Sequence, residues 1–106
     1  MDRATATDVA SVPKVELHVH LNGTISEATA LTLALRHGAD PAVGLRLVDG
    51  RYPERYDGFE DFLDTYLAAN RFVRTPEDLE LVAAEFARAQ AAQKVSYCEA
   101  MFTAMI

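Results

Sequence analysis

Two runs of strand character stand near opposite ends of the sequence, and the chain between them is helical in its spacing. Val15-Glu16-Leu17-His18-Val19-His20 alternates strictly, which places Val15, Leu17 and Val19 on one face and Glu16, His18 and His20 on the other. Val95-Ser96-Tyr97-Cys98-Glu99-Ala100-Met101-Phe102 is the second run, rich in residues that suit a pleated surface. Strands separated by residues 21–94 are joined by a crossover rather than a hairpin, so the pair is expected to be parallel. Parallel sheets are normally covered on both faces and do not end at two strands. The pattern therefore predicts an α/β fold of which these are the first units, with open strand edges that invite association with another polypeptide. No internal repeat is present.

Between the strands, Ile25, Ala28, Leu31 and Leu35 recur at helical spacing. Thr24 is the expected cap, with Glu27 reaching back to it, and Arg36-His37-Gly38 is the stop, giving a helix over about 25–37. Residues 39–58 carry Pro41, Gly44, Gly50, Pro53 and Gly58 and read as a long irregular loop, with a short turn near Leu45 and Val48. Phe59, Phe62, Leu63, Tyr66 and Leu67 form one helical stripe that ends near Asn70. Thr75-Pro76-Glu77-Asp78 then starts a third helix: a capping hydroxyl, a proline at the first position and acids at the positive end of the dipole. Leu79, Val82, Ala83 and Phe86 are its inner face, to about Gln93. Residues 1–12 lack periodicity and read as a disordered leader, leaving 13–106 as a domain portion of two parallel strands and about three helices.

Composition narrows the function classes. A chain of 106 residues holds one domain at most. With 10 Lys+Arg against 16 Asp+Glu and a net charge of -6 it lacks the basic stripe of a nucleic-acid binder, so no nucleic-acid partner is expected. Neither a membrane-spanning run nor a signal peptide is visible, which predicts a cytoplasmic protein with no membrane partner. One cysteine, Cys98, forms no internal disulfide and reads as a plain buried thiol suited to a reducing compartment.

His18-Val19-His20 is the feature closest to chemistry. Alternation puts both imidazoles on one side of a strand end, near enough to share a divalent cation. The same spacing also describes a half-exposed strand whose apolar residues face the core and whose histidines face water. Spacing alone leaves both readings open. Phe62 and Tyr66 are likewise either core or the wall of a pocket for a flat ligand. His37, in the last helical turn before Gly38, reads as a cation near the dipole's negative end.

Taken together, Pro13-Lys14-Val15-Glu16-Leu17-His18-Val19-His20-Leu21-Asn22-Gly23-Thr24 resembles the opening strand and turn of the adenosine and adenine deaminases, a branch of the metal-dependent amidohydrolases. Phe62-Leu63-Asp64-Thr65-Tyr66, Arg74-Thr75-Pro76-Glu77-Asp78-Leu79 and Tyr97-Cys98-Glu99-Ala100-Met101-Phe102 resemble later segments of that family in the same order, so the likeness runs from residue 13 to the end. The resemblance implies a (β/α)8 TIM barrel with one zinc ion at its carboxyl-end mouth, for which His18 and His20 would be two ligands. It further implies hydrolytic removal of an amino group as ammonia by metal-activated water. The substrate would be an aminopurine nucleoside, base or nucleotide. Asn22 and Gly23 match the substrate rim, Phe62, Leu63 and Tyr66 match the helix over the purine, and Glu99 reads as a structural barrel residue.

Three positions depart from the family pattern. Asn22 stands where members acting on adenosine commonly have Asp, Met101 where many have Arg, and Ala104 where many have Pro. A typical barrel of this type takes about 250 residues, so this sequence holds its first units only. The remaining zinc ligands and the catalytic acid and base have no match here. Two expectations follow: the amino-terminal part of a zinc-dependent purine deaminase, inactive by itself with an incomplete metal site, or a non-catalytic truncated product serving as an interaction module or remnant.

Overall fold

The computed structural model describes residues 6–103. Its elements are helix α1 (Ala6–Ser11), strand β1 (Lys14–His20), a 3-10 turn (Leu21–Gly23), helices α2 (Glu27–Arg36), α3 (Pro41–Gly44), α4 (Phe59–Asn70) and α5 (Pro76–Ala92), and strand β2 (Val95–Met101). β1 and β2 pair in parallel, as their separation requires, and the helices between them form the crossover. No helix among the described residues is long and apolar enough to cross a membrane.

Local signals decide most element ends, with three differences from expectation. The leader read as disordered is helical at Ala6–Ser11; its residues 1–5 lie outside the described residues, as does Ala104 at the other end. Lys14 supplies the physical reason. Its ammonium donates to the carbonyls of Ala10 (3.4 Å), Val12 (2.9 Å) and Gln93 (2.7 Å), closing the carbonyl ends of α1 and α5 together. Second, Ser26 rather than Thr24 caps α2, accepting from the Thr29 N–H, because the Thr24 hydroxyl is donated to the Leu21 carbonyl at 2.7 Å. Third, residues 39–58 are more regular than a loop. Asp40 caps α3, and Val48 and Arg51 exchange both backbone hydrogen bonds around Asp49-Gly50, whose positive φ angles (53° and 77°) are those of the tight turn that Asp-Gly favours.

The core lies among the helices rather than on the sheet. Ile25, Ala30, Leu33, Ala34, Leu45, Ala69, Phe72 and Val82 form one buried cluster. Of the β1 side chains expected to face inward, Val19 is buried but Val15 and Leu17 are 63% and 58% exposed. The radius of gyration, 15.5 Å, exceeds the roughly 13 Å of a compact chain this long. The molecule is a slab with a helical core on one side of a thin sheet.

One ion cluster holds the helices in register. Asp78 completes the capping box of α5 with Thr75, and its carboxylate is fully buried. Arg36 donates to one oxygen at 2.8 Å; His37 Nε2 (2.6 Å) and the N–H groups of Arg74 (2.9 Å) and Thr75 (3.1 Å) donate to the other. His37 is thus the cap of α2 tied to the start of α5, a structural place. Burial pushes the Asp78 carboxyl up, but the hydrogen bonds from the Arg74 N–H, His37, Arg36 and Thr75 outweigh it and hold it well below its ordinary value.

Urea denaturation tests this packing at Asp78 and at Gly44. Asp78→Ala leaves Arg36 and His37 without their carboxylate and is expected to cost about 3 kcal/mol or more in urea denaturation. A depressed carboxyl contributes stability that is fully present above its unfolded value of 3.8 and is lost as pH falls below it toward the folded value. The wild-type urea midpoint should therefore fall more steeply below pH 4 than that of Asp78→Asn. A Cβ on Gly44 would lie 2.7 Å from Cζ of buried Phe72, so Gly44→Ala is expected to lower stability by about 1–3 kcal/mol in the same assay.

Candidate functional site

The end of β1 is not a regular strand. Glu16 pairs with Cys98 and Val19 with Ala100, three steps of one strand against two of the other, so the ladder bulges at Leu17 and His18. His18 takes up the extra residue in the left-handed region, at φ 62°. This is why simple alternation fails for Val15 and Leu17. His18 and His20 nevertheless come together: their ring centres are 5.1 Å apart with planes at 74°, both side chains exposed. Among the described residues, no group of three or more His, Cys, Asp or Glu side chains suited to a metal ion is present.

Immediately after His20 the chain enters the 3-10 turn, which forms one lip of a cavity of about 180 Å³. Of the five residues matched to a substrate site, four line it, Asn22 and Gly23 from the turn and Phe62 and Tyr66 from α4, while Leu63 does not. Periodicity explains the α4 pair, since residues four apart share one helix face. Their rings are 6.2 Å apart, and a Cβ on Gly23 would touch Tyr66 at an ordinary 3.5 Å. The histidines do not line this cavity.

The cavity also has walls that sequence reasoning missed. Tyr52 and Tyr56, four residues apart in the stretch read as irregular, close its far side. Tyr56 packs edge-on against Phe62 at 5.3 Å. Tyr52 donates its hydroxyl to the Ile25 carbonyl at 2.7 Å. Burial, then the negative charge of Glu27 and the proximity of Tyr56, push the Tyr52 phenol up to about 12, so it stays a donor. The only trace of this pair in the sequence is two tyrosines amid turn residues. Asn22 is 5% exposed, and its carboxamide pairs with the backbone of Thr103.

The remaining candidates are structural in their contacts. The Tyr97 hydroxyl donates to Glu99 at 2.5 Å on β2. Cys98 is half-buried, and burial followed by Glu16 and Glu99 pushes its thiol up, which disfavours the reactive thiolate.

Comparison with known proteins gives this arrangement its relatives. The sequence model of the adenosine deaminase family matches residues 13–105. The chain belongs to the adenosine deaminase family. It is 39% identical over 97 residues to an aminodeoxyfutalosine deaminase of Streptomyces coelicolor, covering 90% of this chain and 24% of that protein. A protein of the same name from Acidothermus cellulolyticus is 36% identical over 96 residues, covering 90% of this chain and 26% of the relative. An adenine deaminase of Rhodospirillum rubrum is 33% identical over 93 residues, 87% of this chain and 27% of the relative. The chain thus spans about a quarter of the length of the curated relatives it matches. Within that family, two parallel strands joined by a helical crossover are the start of a TIM barrel.

Tyr52 gives this site a measurable signature. In a spectrophotometric titration Tyr52→Phe should remove a phenol that ionises near pH 12 and lower stability by about 1 kcal/mol through the lost bond to Ile25.

Proposed function

We propose that this chain is the amino-terminal part of a zinc-dependent hydrolytic deaminase whose substrate is an aminopurine base, nucleoside or nucleotide. The observation that carries the reading is the convergence of His18 and His20, 5.1 Å between ring centres, one residue before a turn that opens on an aromatic cavity.

The histidine pair fits a zinc ion. With bonds of about 2.1 Å, two imidazole ring centres on one tetrahedral zinc lie roughly 5 Å apart. When bound, the ion supplies the Lewis acidity that makes water nucleophilic near neutral pH. The residues of this chain do the rest of what a strand end and its turn can do. His18 and His20, side by side at the end of β1, would hold the ion. Phe62 and Tyr66 offer flat apolar faces to a base, Gly23 keeps the rim open beside Tyr66, and Tyr52 and Tyr56 add two further aromatic rings to the lining. Two nitrogen ligands without a neighbouring acid or base make an incomplete site, so the chain by itself is catalytically silent in this reading. A half-buried, unreactive Cys98 accords with the reducing cytoplasm, which is the location we propose.

The names of the relatives set the substrate panel: adenosine, adenine and aminodeoxyfutalosine. The test is a chimaera in which residues 13–105 replace the matching segment of the Streptomyces coelicolor relative. It is expected to release ammonia from at least one of the three and to lose that activity to a chelator, with recovery on adding zinc. His18→Ala or His20→Ala in the chimaera should weaken zinc retention by more than the roughly 10–100-fold that loss of an outer-shell partner costs. A folded chimaera that releases no ammonia, or one indifferent to both substitutions, would refute the proposal.

A second reading is supported by the sheet, where Val15, Leu17, Tyr97, Met101 and Phe102 are all between 42% and 63% exposed. Such a surface suits a non-catalytic module that pairs through its open strand edge. Sedimentation of the isolated chain separates the two: a monomer that takes up zinc favours the enzyme part, a metal-indifferent oligomer the module.

A further inference from the structure

Asn70 closes α4 one turn after Tyr66 and lines the cavity, although it is only 9% exposed. Its Nδ2 donates to the backbone carbonyls of Asn22 and Tyr66, each at 2.9 Å. Both partners accept and neither can donate, so the orientation of the carboxamide is fixed and both of its hydrogens are spent. Oδ1 remains. No donor among the described residues reaches it, yet it is not sealed in, for the side-chain polar atom buried without a partner among those residues is Gln90 Oε1 on α5. Asn70 thus keeps an open acceptor on a side chain that is otherwise buried.

The rest of the lining determines what this acceptor can meet. Tyr56, Phe62 and Tyr66 surround it with aromatic rings. The other polar side chains are already engaged: the Asn22 carboxamide with the Thr103 backbone through both of its ends, the Tyr52 hydroxyl as donor to the Ile25 carbonyl, and the Thr65 hydroxyl as donor to the Asp61 carbonyl at 3.2 Å. The hydroxyls of Tyr56 and Tyr66 turn to donate as readily as to accept. Asn70 Oδ1 is therefore the side-chain oxygen of the described lining that can only accept and is still unpaired. No charged side chain lines the cavity, so a phosphate or carboxylate entering it would give up its water with no cation in return. The volume, about 180 Å³, suits one ring system, since an apolar cavity of about 150 Å³ takes up benzene.

We propose that Asn70 is a ligand-contacting residue that sets specificity: its Oδ1 accepts a hydrogen bond from the edge of an uncharged planar ring that carries an N–H or O–H donor and lies among the rings of Tyr56, Phe62 and Tyr66. That this ring belongs to an aminopurine rests on the deaminase reading. The preference for a donor-bearing ring does not, and it is measured without metal or turnover, so the two fail separately; the deaminase reading is tested by ammonia release from the chimaera.

The test is a nuclear magnetic resonance titration of the isotope-labelled 106-residue chain with benzimidazole and with benzoxazole at neutral pH, where both are uncharged. The two share the fused outline of a purine and differ at one ring atom, an N–H in the first and an oxygen in the second. Benzimidazole is expected to bind about tenfold more tightly, to shift the side-chain amide resonances of Asn70, and to show close contacts with the rings of Phe62 and Tyr66. Asn70→Leu should bring the two affinities within about twofold of each other, because neither ligand then finds the acceptor. Where Asn70→Leu does not fold, the ligand pair and the Asn70 resonances of the wild type decide the matter. Equal wild-type affinities, contacts that fall outside the cavity, or a tenfold preference that survives in Asn70→Leu would each overturn the proposal. So would a wild-type chain that binds neither ring.

Discussion

Parallel pairing of β1 with β2 governs the rest of this molecule. Two strands that run the same way cannot be joined at one end, so the intervening chain has to leave the sheet, travel back and re-enter beside its start. Four helices and a 3-10 turn are that return journey. They bury their apolar faces mainly against each other, and the sheet contributes Val19 to the buried residues and little else. The pairing also places the carboxyl ends of both strands side by side. The histidines of β1, the turn that follows them and the Thr103 backbone past β2 share one end of the structure for that reason.

A crossover of this length needs internal ties, and charge provides them where apolar packing is thin. Asp78 gathers donors from the end of α2 and the start of α5, and Lys14 gathers carbonyls from α1, from the approach to β1 and from the end of α5. Each is a hub that satisfies backbone groups which helix ends leave unpaired. The two hubs sit at opposite ends of α5, which makes this helix the strut between the core and the sheet.

Much of this was legible in the residues themselves. Period-two and helical spacings located both strands and the three long helices, and Thr75-Pro76-Glu77-Asp78 marked the start of α5 to the residue. Partnerships made over long sequence distances were not legible. Nothing near Asp78 announces Arg36 and His37, and nothing near Asn22 announces Thr103. Thr24 and Ser26 are equally able caps by local chemistry, and the choice falls to Ser26 only because the turn consumes the Thr24 hydroxyl. Alternation singled out His18 and His20, whose rings lie 5.1 Å apart, but gave a regular strand, because a side-chain pattern carries no information about an extra residue in the hydrogen-bond ladder. Tyr52 and Tyr56 escaped notice because loop residues have no period to betray a shared surface.

The left-handed backbone at His18 carries one more implication. That conformation suits glycine and asparagine better than an imidazole and excludes β-branched side chains almost entirely. Folding by itself would steer this codon toward glycine. A randomised library sorted purely for soluble expression would drift away from histidine here, and one sorted for ion capture would be pulled back to it; the distance between the two populations measures how far the position is held by chemistry against the preference of the main chain.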